Sequence, residues 1–126
     1  MRHAKLGRKL GRKTANRKAL MMNLASSLIE HKKIKTTDAK AKELRRFIEP
    51  LITFAKKGDI HSRRQVLKKI PQKTVVRELF DKIGPQYADR KGGYTRIIKL
   101  GFRENDCAPI SLIEFVDFLS NSVEAG

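Results

Sequence analysis

A single cysteine in 126 residues, Cys107, excludes any disulfide within the chain and fits a reducing cytosol. No apolar run approaches the roughly 20 residues that span a bilayer. The first residues also lack the apolar segment of about 7 to 15 residues that marks a secretory signal, so neither a membrane segment nor a secretory leader is expected. Aromatic residues make up 6% of the chain, too few for a broad platform on which single-stranded bases stack. Acidic residues are missing altogether from positions 1 to 18. An organellar transit peptide shares that lack, but such peptides are Ser-rich and amphipathic, whereas Gly7 and Gly11 interrupt any helix here.

What is present is positive charge, with enough apolar material to fold. The chain carries 29 Lys and Arg against 13 Asp and Glu, a net charge of +16, with 40% hydrophobic and 33% charged residues. That composition and length suit one compact domain with an appendage rather than a disordered basic tail. Residues 1 to 18 hold eight of the basic residues and none of the acidic ones, so half of the net charge sits in a seventh of the chain. From Glu104 onward the sign reverses, with Glu104, Asp106, Glu114, Asp117 and Glu124 unopposed by any Lys or Arg. Such a field points to nucleic acid, a membrane surface or an acidic protein as partner.

Patterning predicts three regions: a basic extended arm over 1–13, a single α+β domain over 14–117, and an acidic tail over 118–126. A helical arm would stack Lys5, Lys9, Lys13 and Arg17 at i, i+4 spacing, each like-charge pair costing about 0.2 to 0.5 kcal/mol and each helical Gly about 1 kcal/mol. From Thr14 or Asn16, Leu20, Leu24 and Leu28 recur with Met21 and Ala25 as a helical stripe that ends near His31. "KKIKTT" reads as a short strand. Thr37 or Asp38 caps a long helix whose buried face is Ala41, Leu44, Ile48, Leu51, Ile52 and Ala55, with Gly58 as its stop. Pro50, inside it, predicts a kink or a new segment. Two shorter helices follow, Asp59 to Ile70 and Lys73 to Ile83, the second closed by Gly84-Pro85. Beyond them the period becomes two: Ile98, Leu100 and Phe102 alternate with polar residues, as do Ile113 and Phe115, which reads as an antiparallel hairpin with a long loop over "ENDCAP". The fold class is α+β, with about four helices and a small, mainly antiparallel sheet of about three strands.

No enzyme constellation emerges. "GRKT", Gly11 to Thr14, resembles the end of a phosphate-binding loop, but that loop needs glycines five apart with Lys directly after the second. Here Gly7 and Gly11 are four apart and Arg12 precedes Lys13. His3, His31, His61 and Cys107 never fall at metal-ligand spacing, and Glu114 and Asp117 lack a His or Lys partner in sequence, as on a solvated sheet face. Neither a metal nor a cofactor is expected.

The arm suits polyanions better. Arg2, Lys5, Arg8, Lys9, Arg12, Lys13, Arg17 and Lys18 can reach phosphates from an extended backbone, and RNA favours segments that order on binding. Arg45-Arg46 and "DRKGGYTR", Asp89 to Arg96, could extend that surface. In the second, Gly92 and Gly93 permit close backbone approach while Tyr94 offers a ring between Arg90 and Arg96. Equally, Arg45 and Arg46 could be a solvated helix face and Tyr94 a core residue. A nonspecific DNA-compacting or regulatory protein would share the charge, but no helix presents a base-reading set.

"MRH" with its basic arm, "IKTTDAKAKELRRFIEPLIT" (34–53) and "DRKGGYTRIIKLGFRENDCAP" (89–109) together resemble the bacterial-type seventeenth-protein family of the large ribosomal subunit. Ile34, Thr36, Thr37, Lys40, Ala41 and Lys42 match its signature spacing, as does Gly92 to Ile97, and the resemblance covers nearly the whole chain. It implies a structural, non-enzymatic protein of the cytoplasmic 50S subunit that binds 23S rRNA beside neighbouring large-subunit proteins, with no membrane and no small-molecule substrate. Carried over by position, the implied RNA-binding residues are the arm, including His3 and Asn16, then Arg45, Arg46, Arg90, Lys91, Gly92, Gly93, Tyr94 and Arg96.

Overall fold

The computed structural model describes residues 14–116. The arm expected at 1–13 and the tail expected at 118–126 lie outside the described residues.

Helix α1 (Thr14–His31) buries Met21, Ala25, Leu28 and Ile29, with Leu20 and Leu24 at the margin of the same stripe. It ends at Lys32, a non-glycine residue at φ 72°. Lys32 closes the helix with both of its nitrogens: its N–H donates to Leu28 O at 2.7 Å, and Nζ donates to Ile29 O at 2.7 Å and Glu30 O at 3.3 Å. A cation here satisfies carbonyls that have no intrahelical partner. The same Nζ reaches Glu78 Oε2 at 2.9 Å. Burial pushes the Glu78 carboxyl up, but Lys32's hydrogen bond and charge outweigh it and hold the group below the usual range.

Strand β1 (Lys33–Thr37) leads directly into α2 (Asp38–Lys57). Thr37 is the N-cap, its hydroxyl accepting from Lys40 N–H at 3.4 Å, and Gly58 at φ 71° closes the far end with its N–H on Phe54 O. The buried face is the one the 3.6-residue period predicts: Ala41, Leu44, Ile48, Leu51, Ile52 and Ala55. Pro50 does not divide the helix, which is continuous through it. It lies on the exposed side with Arg46, the residue whose carbonyl loses its intrahelical donor, so water can serve that group while the packed face holds the axis.

Asp59 caps α3 (Ile60–Lys69), its Oδ1 accepting from Ser62 N–H at 2.7 Å. Helix α4 (Lys73–Glu78) then runs into a π-helical turn, Leu79–Ile83, and a short α5 (Gly84–Gln86). The stop expected at Gly84-Pro85 is therefore not there. Gly84 is helical and buried against α2, where a Cβ would stand 2.7 Å from Ala55 O. Its role is close approach between helices, and Pro85 falls in the first turn of the new segment, where no N–H is required.

Strands β2 (Thr95–Phe102) and β3 (Pro109–Phe115) form the expected antiparallel hairpin, and β1 joins the other edge of β3, giving the order β1-β3-β2, all antiparallel. Ile34, Ile113 and Ile97 make one row across the sheet on the face covered by α2. Ser111, buried on that face, donates its hydroxyl to Asp38 Oδ1 at 2.9 Å, tying β3 to the start of α2. That bond, more than the neighbouring lysines, keeps the Asp38 carboxyl below its ordinary range.

The alternating apolar residues of β2 do not enter the core. Pairing sets Thr95, Ile97 and Lys99 opposite Phe115, Ile113 and Ser111 on the covered face, and a bulge between Lys99 and Gly101 follows. Ile98, Leu100 and Phe102 are left 38%, 50% and 74% exposed. In the loop that follows, Arg103 grips Asp106 through two bonds, Nε to Oδ1 at 2.9 Å and Nη2 to Oδ2 at 2.7 Å. These hold the Asp106 carboxyl down at about 2. Cys107 is exposed in this loop.

Candidate nucleic-acid interface

The polar side of α2 is a cationic ridge. Lys42, Arg45 and Arg46 stand at i, i+3 and i+4, so they project from one face. A cleft of about 630 Å³ on one flank lies between α2 and β2 and is lined by Asp38, Lys42, Glu43, Arg45, Arg46, Ile97 and Lys99. Another, of about 310 Å³, lies where α1, α2 and α3 meet and is lined by Arg17, Lys18, Met21, Glu43, Arg46, Phe47 and Lys69. Arg46 borders both.

The cations of this surface are not equivalent. Arg17 lies 3.7 Å from Glu43 and ties α1 to α2, and Lys42 lies 3.2 Å from Asp38 one turn back. Lys18, Arg45, Arg46, Lys69 and Lys99 have no carboxylate within 4 Å among the described residues. Guanidinium and ammonium groups outside any close ion pair, around concave surface, suit phosphates. Three of these lining cations are additions to the sequence reading. Lys42 carries a local signal, its spacing to Arg45 and Arg46. Lys69 and Lys99 carry none, because only the packing of α3 and β2 beside α2 brings them there.

Of the expected RNA-binding residues, Arg2, His3, Lys5, Arg8, Lys9, Arg12 and Lys13 lie outside the described residues. Asn16, Arg17 and Lys18 occupy the first turns of α1, and Arg17 and Lys18 line the smaller cleft.

The Arg90–Arg96 segment is different in kind. Tyr94 is only 3% exposed, its ring centroid 5.4 Å from that of Tyr87. Burial pushes the Tyr94 phenol up, but Lys56, whose Nζ meets its hydroxyl at 2.9 Å, together with Thr53 and Gly92 brings it below its ordinary range. The ring is a core side chain, which corrects the stacking role that its sequence context allowed. Glu49 anchors the strand start, accepting from Tyr94 N–H at 3.3 Å, Thr95 N–H at 3.0 Å and the Thr95 hydroxyl at 2.8 Å. Arg96 donates Nε at 2.8 Å and Nη2 at 2.6 Å to Glu114 Oε2 across the strand pair. Arg90 donates Nε to Gly93 O at 3.0 Å, and its own carbonyl accepts from Lys56 Nζ. Gly92 and Gly93 adopt φ of 95° and 61°, which side chains disfavour, and nothing crowds either position. Lys91 is exposed beside them.

Among the described residues no group of three or more His, Cys, Asp or Glu could hold a metal ion. No described helix is long and apolar enough to cross a membrane.

Comparison with known proteins agrees with the sequence signatures. A curated "Large ribosomal subunit protein bL17" of Dinoroseobacter shibae is 57% identical over 117 residues, 93% of this chain and 85% of that protein. The protein of the same name from Roseobacter denitrificans is 56% identical over 117 residues, covering 93% and 84%. That of Syntrophus aciditrophicus is 49% identical over 122 residues, covering 97% and 98%. The model of the family described as "Ribosomal protein L17" matches residues 20–116, from α1 through the end of the sheet, and the chain belongs to that family.

Proposed function

We propose that the protein is a structural constituent of the large ribosomal subunit that binds and stabilises 23S rRNA through phosphate and shape contacts. The observation that carries this reading is the placement of charge. The first 18 residues carry eight cations and no acid, and the last of them, Arg17 and Lys18, line a cleft with Arg46 of the α2 ridge. The relatives' printed name supplies the large subunit. The arm over 1–13 and the ridge Arg45-Arg46 hold RNA segments that repel one another, with Lys18, Lys69 and Lys99 extending the contact. The Arg90–Gly93 loop presents Lys91 and open glycine backbone as a lesser contact. Its charge is partly engaged by the fold, so it contributes less than the ridge. No catalytic step belongs to this role. Neighbouring large-subunit proteins complete the surroundings.

Counterion release gives the test. Log affinity for a 23S rRNA fragment should fall against log salt by about 0.7 to 0.9 per neutralised phosphate. Deleting residues 2 to 13 should weaken binding and flatten that slope. An unchanged affinity and slope would remove the arm from the interface.

A further inference from the structure

We infer that the end of the sheet opposite the Arg90–Gly93 loop holds one unpaired nucleotide of the bound RNA, an inference that rests on the RNA-binding reading above. A cleft of about 530 Å³ crosses the sheet here, lined by Lys35, Thr37 and Lys40 on one side and Leu100, Phe102 and Ile110 on the other. Thr37, Ile110 and Gly101 pair in register across β1, β3 and β2, so they form its floor. The apolar wall exists because the β2 bulge beside Gly101, at φ 120°, breaks the strand's alternation at the end of the sheet, where Leu100 and Phe102 are half and three-quarters exposed.

The two walls differ in chemistry. No carboxylate lines the cleft, and Lys35 and Lys40 have no ion pair among the described residues. Arg103, at the rim, is already gripped by Asp106 and adds little net charge. Lys35 on β1 and the apolar wall of β2 lie two strand spacings apart, about 10 Å, and Lys40 stands beside Lys35 in the first turn of α2. That is the order of the reach from a phosphate to the far edge of its base. A base against Phe102 and Leu100 would place its phosphate at Lys35 and Lys40, and the hydroxyl of Thr37 lies between. Only one aromatic ring is present, so the cleft takes one base rather than a run of them.

Other occupants fit less well. A second copy of this chain would bring another +16 of charge against the same cations. An added peptide strand would need the open backbone of a sheet edge, and this cleft runs across three strands instead of along one.

The test uses the full chain and two probes: a single-stranded RNA hexamer with 2-aminopurine at its centre, and an RNA hairpin stem of similar charge. Phe102→Ala should weaken hexamer binding about 5- to 150-fold, the range for losing one stacked base, and abolish quenching of the 2-aminopurine. Stem binding should be unchanged, and Lys35→Gln should weaken hexamer binding while keeping the quenching. Equal hexamer affinity for wild type and Phe102→Ala, with stem binding intact, overturns the cleft alone. Failure of wild type to bind either probe overturns the RNA-binding reading itself. A photoreactive benzoylphenylalanine at position 102 should cross-link to RNA in assembled subunits. Cross-links to protein only would mean that the cleft docks a protein neighbour, and the nucleotide inference falls.

Discussion

Two basic stretches look interchangeable in the sequence, and the fold uses them differently. Arg45 and Arg46 project from the polar side of α2 with no carboxylate within 4 Å among the described residues, between two clefts. Arg90 to Arg96 is wired inward: Tyr94 is in the core, Arg96 is held by Glu114, and Arg90 is bonded at both its side chain and its carbonyl. A cation already matched by a carboxylate has less to gain from a phosphate, because it must first give up or share its partner. Charge density along the chain therefore overstates the second stretch as a ligand surface and understates it as a fastening.

The strongest way to break this contrast is at Glu49. Glu49→Ala leaves Tyr94 N–H, Thr95 N–H and the Thr95 hydroxyl without their acceptor. Thermal or urea unfolding should show a loss of about 1 to 3 kcal/mol, the cost of orphaning buried donors. A wild-type unfolding midpoint would show that the strand start is not anchored there.

The cations found only by folding sharpen the other side. Lys69→Gln with Lys99→Gln should lower the salt slope of 23S rRNA binding by about 1.4 to 1.8, two phosphates' worth. Stability should stay within about 0.5 kcal/mol, as for ordinary surface substitutions. An unchanged slope would confine the interface to the arm and ridge. Arg96→Gln should behave oppositely, with a stability loss of about 0.2 to 1 kcal/mol for an exposed pair and no change in slope.

The smallest effect concerns acid. Asp106's carboxyl is held at about 2 by Arg103, below its unfolded value of about 3.9. A depressed carboxylate contributes stability that is present above the unfolded pKa and lost as pH falls through the folded one. NMR signals of the 103–108 loop should hold their native positions at pH 4 and move as pH falls from about 4 towards 2. In Asp106→Asn that acid-dependent movement should disappear.

The buried stripe of α2 was legible in the sequence because a 3.6-residue period identifies a face, and Gly58 could be placed because an apolar helix needs a stop. The β2 alternation was legible as a period but not as a direction, since period two is the same whichever face turns inward. Here the pairing with Ser111, Ile113 and Phe115 decides. Gly84-Pro85 has the local signature of a helix end, and only the approach of Ala55 from α2 shows that it marks a crossing. Tyr94 stayed open between stacking and core until Glu49 and Lys56, about 40 residues away, came beside it. Arg45-Arg46 could be named from sequence, but whether the pair was free required knowing where every carboxylate had gone.

The most direct test compares two double variants on one 23S rRNA fragment over a common salt series. Arg45→Gln/Arg46→Gln should lower the slope of log affinity against log salt by about 1.4 to 1.8, while Arg90→Gln/Arg96→Gln should leave it near the wild-type value. A full loss of slope in the second variant, with none in the first, would contradict this contrast.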